Sequence, residues 1–493
     1  MAEASLSRVT PPSMVGVIAR KEFTEIIRDG RFKWTAIIMI MLLLTALATG
    51  WQKYTAYSEM QAAAQGETNH QWLKQGDKNP HSAAHYGNYA FKQAGPLSFF
   101  DNGIEPYTGN LLFMEAHKQN LAISRPANDS SAISRFGDLN GAMILQVLMP
   151  LLIIFLGFTA FSGEKERGTL RQLLSMGVNQ RDLLWGKAIG IGGAALLAIA
   201  PCIILGALVL SILQISHTAD NVAARIALMT LIYTGYGLVF LFLTLGVSAL
   251  SSSPRTSLIA LVGFWAFSVF MVPKSAAEIS KAVYPSPSFG EFSATMKADQ
   301  VRGLDGVPTA AKFGKYVRDL MKEYNVDNPT KLPMYFPAVR MQKLEEFDHE
   351  VFDHHYNGLR NTYRDQRRLQ DAFGILAPLM PLKSLSMGLS GSDLLHHDRY
   401  TRSAEEHRRM MVSRMNSYLS KAAVDLNGVS NSSNYMTADE KVFAIVPPFE
   451  YTPPTLAEVI NEYGSAFLIL AAWVLASILF AAISVSRARK ASV

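Results

Sequence analysis

The amino-acid sequence predicts an all-α polytopic membrane protein: six transmembrane helices, both termini cytoplasmic, and two extracytoplasmic insertions, the larger mostly α-helical. Composition is the first reason, since 49% of the 493 residues are hydrophobic, only 17% are charged, and the mean hydropathy is +0.13. The second is a set of six stretches, 34–51, 141–162, 188–216, 226–254, 256–273 and 463–486, without a single Asp, Glu, Lys, Arg or His. A hydrocarbon core about 30 Å thick needs roughly 20 such residues of helix. The third is charge asymmetry. Residues 1–33, 163–187, 251–255 and the tail after 486 hold 15 Lys and Arg against seven acids, a net +8, whereas 51–140 and 274–462 each carry −1. Basic residues in short loops mark the cytoplasmic side, so the high pI reports topology and gives no reason to invoke nucleic acid.

In chain order, residues 1–33 come first. Ile18, Phe23, Ile26 and Ile27 recur at helical spacing among Arg20, Lys21, Glu22, Arg28 and Arg31, which predicts an amphipathic helix lying at the membrane interface. The following span, 34–51, ends near Ala46-Leu47-Ala48, a triplet like a signal-peptidase site, but the preceding region is too long for a signal peptide and the span is expected to be retained. The first extracytoplasmic segment, 52–140, begins as a helical continuation to about Ala64, then turns polar and rich in Gly, Asn and His; the fold of 65–140 is left open by its pattern.

The second span, 141–162, leads into a charged segment, 163–187. Leu170, Leu173 and Leu174 form an apolar stripe, with Glu164, Lys165, Arg167 and Arg171 decorating the remaining surface of a short helix. Gly177 is placed to end it, and Asn179 to cap the next helix, which enters the bilayer at Leu183-Leu184-Trp185. The third, fourth and fifth spans, 188–216, 226–254 and 256–273, then follow. Cys202, the one cysteine, lies in the third, so no intramolecular disulfide is possible.

In the second extracytoplasmic segment, 274–462, the run from Pro333 to Pro337 opens a long helix with Leu344, Phe347, Val351, His355 and Leu359 on one face. A break at Ala377-Pro378-Leu379-Met380-Pro381 precedes another, expected to start at Ser403, where Ser403-Ala404-Glu405-Glu406 has capping-box spacing. The sixth span, 463–486, and a cytoplasmic tail, 487–493, complete the chain.

The chemistry is marked by what is missing. There is no Gly-x-x-x-x-Gly-Lys-Ser/Thr loop to cradle phosphates, and Leu389-Ser390-Gly391-Ser392 lacks the first glycine of a nucleophile elbow, so no catalytic residue is assigned. His349 and Asp353 share a helical face as a metal pair could, but Asp353 stands where a zinc protease needs a second imidazole and no third ligand is evident; no metal site is assigned. Inside the spans, Gln146, Pro150, Pro201, Tyr233 and Tyr236 are candidates for a pathway or hinge, against the alternative of helix packing. With no charged residue inside the spans, the energy for any transport must come from outside the bilayer.

The run Glu164-x-Glu166-x-Gly168-Thr169-Leu170-x-x-Leu173-Leu174, followed by Arg181 and then Leu183-Leu184-x-Gly186-Lys187, resembles the signature of type-2 ABC transporter permeases. In that family the segment after the second span contacts a separate ATPase subunit. The resemblance therefore implies ATPase-coupling roles for Glu164, Glu166, Gly168, Thr169, Leu170, Leu173, Leu174, Arg181 and Lys187, with Arg167 and Arg171 in the same segment. Arg20-Lys21-Glu22-Phe23 is similar to the family's connecting helix. Ser386 through Asp393, His396-His397, Glu345-Glu346 and Glu405-Glu406-His407-Arg408 resemble a subfamily with a large domain of unknown function between the last two spans.

The resemblance implies that this chain binds no cofactor itself, ATP and Mg being held by partner ATPase subunits, and that a second permease chain, identical or related, shares the bilayer. It is silent on cargo. A mechanical transducer acting on a periplasmic partner and a membrane-anchored metalloenzyme using the outer histidines stand as alternatives.

Overall fold

The computed structural model describes residues 13–127, 139–213, 221–425 and 436–490. Ser13 caps α1 (Met14–Arg28), its Oγ accepting from Gly16 N at 3.2 Å. Asp29 then both ends α1 and caps α2 (Gly30–Leu73), accepting from Arg31 N, so one residue turns the chain from α1 into the first long apolar helix. Helix α2 runs 44 residues without proline and continues well beyond Ala64.

Short elements follow: α3 (Pro80–Tyr86), β1 (Asn88–Phe91), α4 (Glu105–Thr108) and β2 (Leu111–Met114), the strands pairing antiparallel with Asn88 opposite Met114. Next come α5 (Gly141–Gly157), α6 (Ser162–Glu166), α7 (Thr169–Ser175), α8 (Gln180–Leu213), α9 (Val222–Leu250) and α10 (Pro254–Ala266). A π-turn, Phe267–Met271, joins α10 to α11 (Val272–Val283). The remaining helices are α12 (Phe289–Arg302), α13 (Thr309–Glu323), α14 (Phe336–Ala372), α15 (Leu379–Ser390), α16 (Leu394–Asp425), α17 (Glu440–Phe443), α18 (Leu456–Glu462) and α19 (Gly464–Lys490).

Among the described residues six helical stretches are long and apolar enough to cross a membrane: Gly30–Leu73, Gly141–Glu166, Gln180–Pro201, Val222–Leu250, Pro254–Val283 and Gly464–Ala488. The chain is an all-α polytopic membrane protein. The fifth helix passes the expected stop at Pro273 and runs to Val283, because the π-turn widens the backbone just where a proline ring would strike the preceding carbonyls. It ends instead before Pro285, which disfavours helix at Tyr284.

Spans α2, α5, α8, α9 and α19 share one apolar core, in which Leu43, Ile154, Ile191, Phe240, Leu245 and Ala481 are fully buried. Gly246 is pressed against Phe480, where a Cβ would lie 2.5 Å from the ring, so α9 and α19 approach closely.

The two large insertions, between the first and second and between the fifth and sixth spans, also share a core. Trp72, Ala84, Leu112 and Met114 of the first pack with Tyr400, Met411, Met415 and Phe443 of the second. Trp72 Nε1 donates to Phe443 O at 3.0 Å and Tyr400 donates to Ala90 O at 2.8 Å. Helix α16 begins at Leu394, nine residues before the expected start at Ser403. Asp393 serves its N-terminus, accepting from His396 N, and Ser403 and Glu406 lie inside the helix rather than at its start. On α14 only Val351 of the anticipated stripe is fully buried; Phe352, Tyr356 and Glu345 join it.

Candidate coupling site

Helix α1 lies against α8 because the sequence places glycines where it crosses. A Cβ on Gly186 would stand 2.6 Å from Ile18, and one on Gly190 would stand 2.7 Å from Ala19 O and Glu22 Cβ. One turn on, Gly193 faces Phe23. This small-residue groove brings Glu22 and Lys187 together across 165 residues of sequence.

Lys187 is 1% exposed, and its ammonium donates to Glu22 Oε1 at 2.8 Å and to Glu164 Oε1 at 2.7 Å. One buried cation thus ties α1, α6 and α8 into a knot, with the Phe161 ring beneath the ammonium at 5.4 Å. The two short ion pairs offset part of the cost of burying three charges. Burial pushes the Glu22 carboxyl up, but Lys187, with Lys21 behind it, outweighs this and holds it below the ordinary range. Glu164, expected on the exposed face, is buried because it is a partner of Lys187.

The segment 162–177 is two short helices. Gly168 adopts φ +74°, a conformation that favours glycine, and separates α6 from α7. Ser248 of α9 fastens the start of α6: its Oγ accepts from Phe161 N at 3.0 Å and Ser162 N at 3.1 Å and donates to Phe158 O. Lys165 donates to Ala249 O. Leu170 is buried, Leu173 and Leu174 half-buried, while Glu166, Arg167, Gly168, Arg171 and Arg181 are exposed. Gly177 ends α7 at φ +87°. Of the predicted residues, Lys187, Glu164 and Glu22 are therefore internal and Glu166, Arg167, Arg171 and Arg181 form an outer, mostly basic face. Phe161, Ser162, Ser248, Gly186 and Gly190 were not singled out for a role by sequence reasoning; only the Gly186-x-x-x-Gly190 spacing could have pointed to the groove.

At the opposite end, Gln146 Nε2 donates to the Tyr233 hydroxyl at 3.0 Å, Tyr233 meets Ser386 Oγ at 3.0 Å, and Ser386 donates to Asp101. This buried relay joins α5 and α9 to α15 and the first insertion. Burial pushes the Asp101 carboxyl up, against the hydrogen bonds from Ser386 and Gly103 N. Pro150 lacks the N–H that would bond Gln146 O four residues back, and Tyr236 donates its hydroxyl to that carbonyl at 3.0 Å. Helix α8 runs unbroken through Pro201. Tyr233 also lines an apolar cleft of about 720 Å³ between α2, α5, α8 and α9, with Met149, Leu196 and Gly237.

The Ser386–Asp393 run sits at this junction. Gly391 ends α15 at φ +82° against Gly95 and Pro96, and Ser392 O accepts from Ile104 N at 2.9 Å. Arg225, buried at the start of α9, donates to Leu389 O and Pro454 O, a cation on the C-terminal carbonyls of α15. Farther out, Arg408 is enclosed between Glu405 and Glu345, and Arg409 holds Asp353 through both of its carboxylate oxygens. His349 lies 3.4 Å from Glu345. The His349/Asp353 pair is thus built into an ion network.

The glycine-docked first helix and the buried acid–lysine–acid knot accompany an exposed basic turn between the second and third spans, and the ABC-2 family of transporter proteins matches residues 16–488. The chain belongs to the ABC-2 transporter family. It is 32% identical over 126 residues to the probable ABC transporter permease protein NosY of Pseudomonas aeruginosa, a match covering 25% of this chain and 45% of that protein. This ABC-2 chain is a multi-pass membrane protein.

Proposed function

We propose that the chain is the transmembrane subunit of an ATP-driven exporter in the bacterial inner membrane. ATP and Mg are held by separate ATPase subunits docked on the 162–187 segment, and a second permease chain, identical or related, completes the membrane unit. Nucleotide-driven closure of the ATPases pushes on α6 and α7; the movement passes through Lys187 into α1 and α8, and through Ser248 into α9. The observation that carries this reading is the buried Glu22–Lys187–Glu164 knot, which makes the turn and the spans one mechanical unit while leaving Glu166, Arg167, Arg171 and Arg181 outward for a partner.

A second reading, in which the same motion acts on a periplasmic partner without cargo crossing, is supported by the Gln146–Tyr233–Ser386–Asp101 relay into the outer domain. Purification of the tagged complex tests the docking surface. The double reversal Arg167→Glu/Arg171→Glu is expected to lower the co-purified ATPase at least tenfold with an unchanged melting temperature. An undiminished ATPase yield would overturn the assignment.

A further inference from the structure

Outside the coupling site, three histidines of the first insertion converge. His81 and His85 lie one helical turn apart on α3, and His117 follows β2; the ring nitrogens of the three that could bind an ion all lie within 4.8 Å of one another. Their placement is built from both insertions. Asn416 of α16 donates through Nδ2 to Gln342 Oε1 at 3.1 Å, which orients its Oδ1 toward His81 Nδ1 at 2.8 Å. Glu345 of α14 approaches His117 Nδ1 at 2.7 Å and also accepts from the His117 backbone N–H, holding the residue at φ +63°.

Each outer acceptor requires a proton on Nδ1, so each neutral ring presents the lone pair of Nε2. Those two Nε2 atoms face each other at 3.2 Å. Two lone pairs at that separation repel unless something positive lies between them. Zinc–imidazole bonds of about 2.05 Å in a tetrahedron place ligand atoms about 3.3 Å apart, close to the spacing seen. Imidazoles held by a carboxylate and an amide on their far nitrogens are the usual support of such ligands. His81 is buried, His117 half-buried and His85 exposed, so the site opens to the aqueous side through His85.

We propose that His81, His85 and His117 bind a divalent transition-metal ion of the zinc class, with an open fourth position facing solvent. The ion would tie the 80–118 region to α14 and α16, fastening the two insertions together. Imidazole suits zinc, copper, nickel and cobalt over calcium or magnesium.

The test uses the full chain, purified in detergent and stripped of metal. Titration with Zn²⁺ followed by a competing dye, and with Co²⁺ followed by its visible d–d absorption, is expected to show one saturable ion per chain. His85→Ala, at an exposed position that leaves folding intact, is expected to weaken Zn²⁺ binding at least tenfold and abolish the Co²⁺ band. Asn416→Ala is expected to weaken binding by about 10 to 100-fold, and His354→Ala, on the exposed face of α14, to leave it unchanged. Zn²⁺ should raise the melting temperature of the parent and not of His85→Ala. Absence of saturable binding, which would leave a proton shared between His81 and His117 as the occupant, or binding indifferent to His85→Ala, overturns the proposal.

Discussion

Lys187 is the residue on which the coupling end depends, since one ammonium serves two carboxylates from two other helices. Lys187→Met leaves Glu164 buried without a counter-charge and Glu22 with Lys21 alone, at a cost of about 3–5 kcal/mol. Glu164→Gln keeps the cation paired with Glu22 and should cost only about 1–3 kcal/mol. Thermal unfolding of the detergent-purified chain should rank the two in that order. A second residue-scale prediction concerns Asp393. Burial would raise its carboxyl, but His396, together with the Tyr463 hydroxyl, brings it down to about 2. A carboxyl lowered on folding adds stability that is fully present above its ordinary value and is lost as pH falls through the folded one. Acid titration of stability should therefore show a loss of about 2 kcal/mol between pH 4 and 2, and Asp393→Asn should remove that part of the slope.

The helices themselves were the most legible part of the chain, because a span without charge has almost no other explanation. Less legible was anything requiring partners distant in sequence. Glu22 reads as one charge of an amphipathic connecting helix, Glu164 as decoration and Lys187 as one member of the coupling motif, since the pattern around each says nothing of a residue 165 positions away. The apparent cap at Ser403 misled because Ser-x-x-Glu also occurs inside helices, as Ser403 and Glu406 do here. Pro273 misled because a π-turn leaves no mark in composition. The glycine groove gives the element-scale test. Gly190→Val drives a branched side chain into Ala19 and Glu22, displacing α1 from α8 at a cost of about 1–3 kcal/mol. Disulfide trapping between cysteines placed on α1 and α8, in a chain lacking Cys202, should fall sharply, whereas Gly206→Ala, whose Cβ meets nothing, should leave it unchanged.

At the scale of the whole molecule, each end of the bundle holds its own set of buried polar contacts, with the apolar core of the spans between them. Ser386→Ala removes the middle of the Gln146–Tyr233–Ser386–Asp101 relay and leaves Asp101 and the Tyr233 hydroxyl short of a partner. The expected outcome is near-normal assembly with reduced transport per ATP hydrolysed, measured on reconstituted complex. An unchanged ratio would confine the relay to a packing role.

Helix α2 adds a consequence of length alone. Its 44 residues make a proline-free rod of about 66 Å, rooted at Asp29 beside the coupling knot and ending where Trp72 is buried under Phe443. A beam of that span amplifies angle: tilting it by about 5° around its midpoint carries the far end about 3 Å. Under the proposed coupling, small rotations at the Asp29 end would arrive at the Trp72 end as ångström-scale strokes.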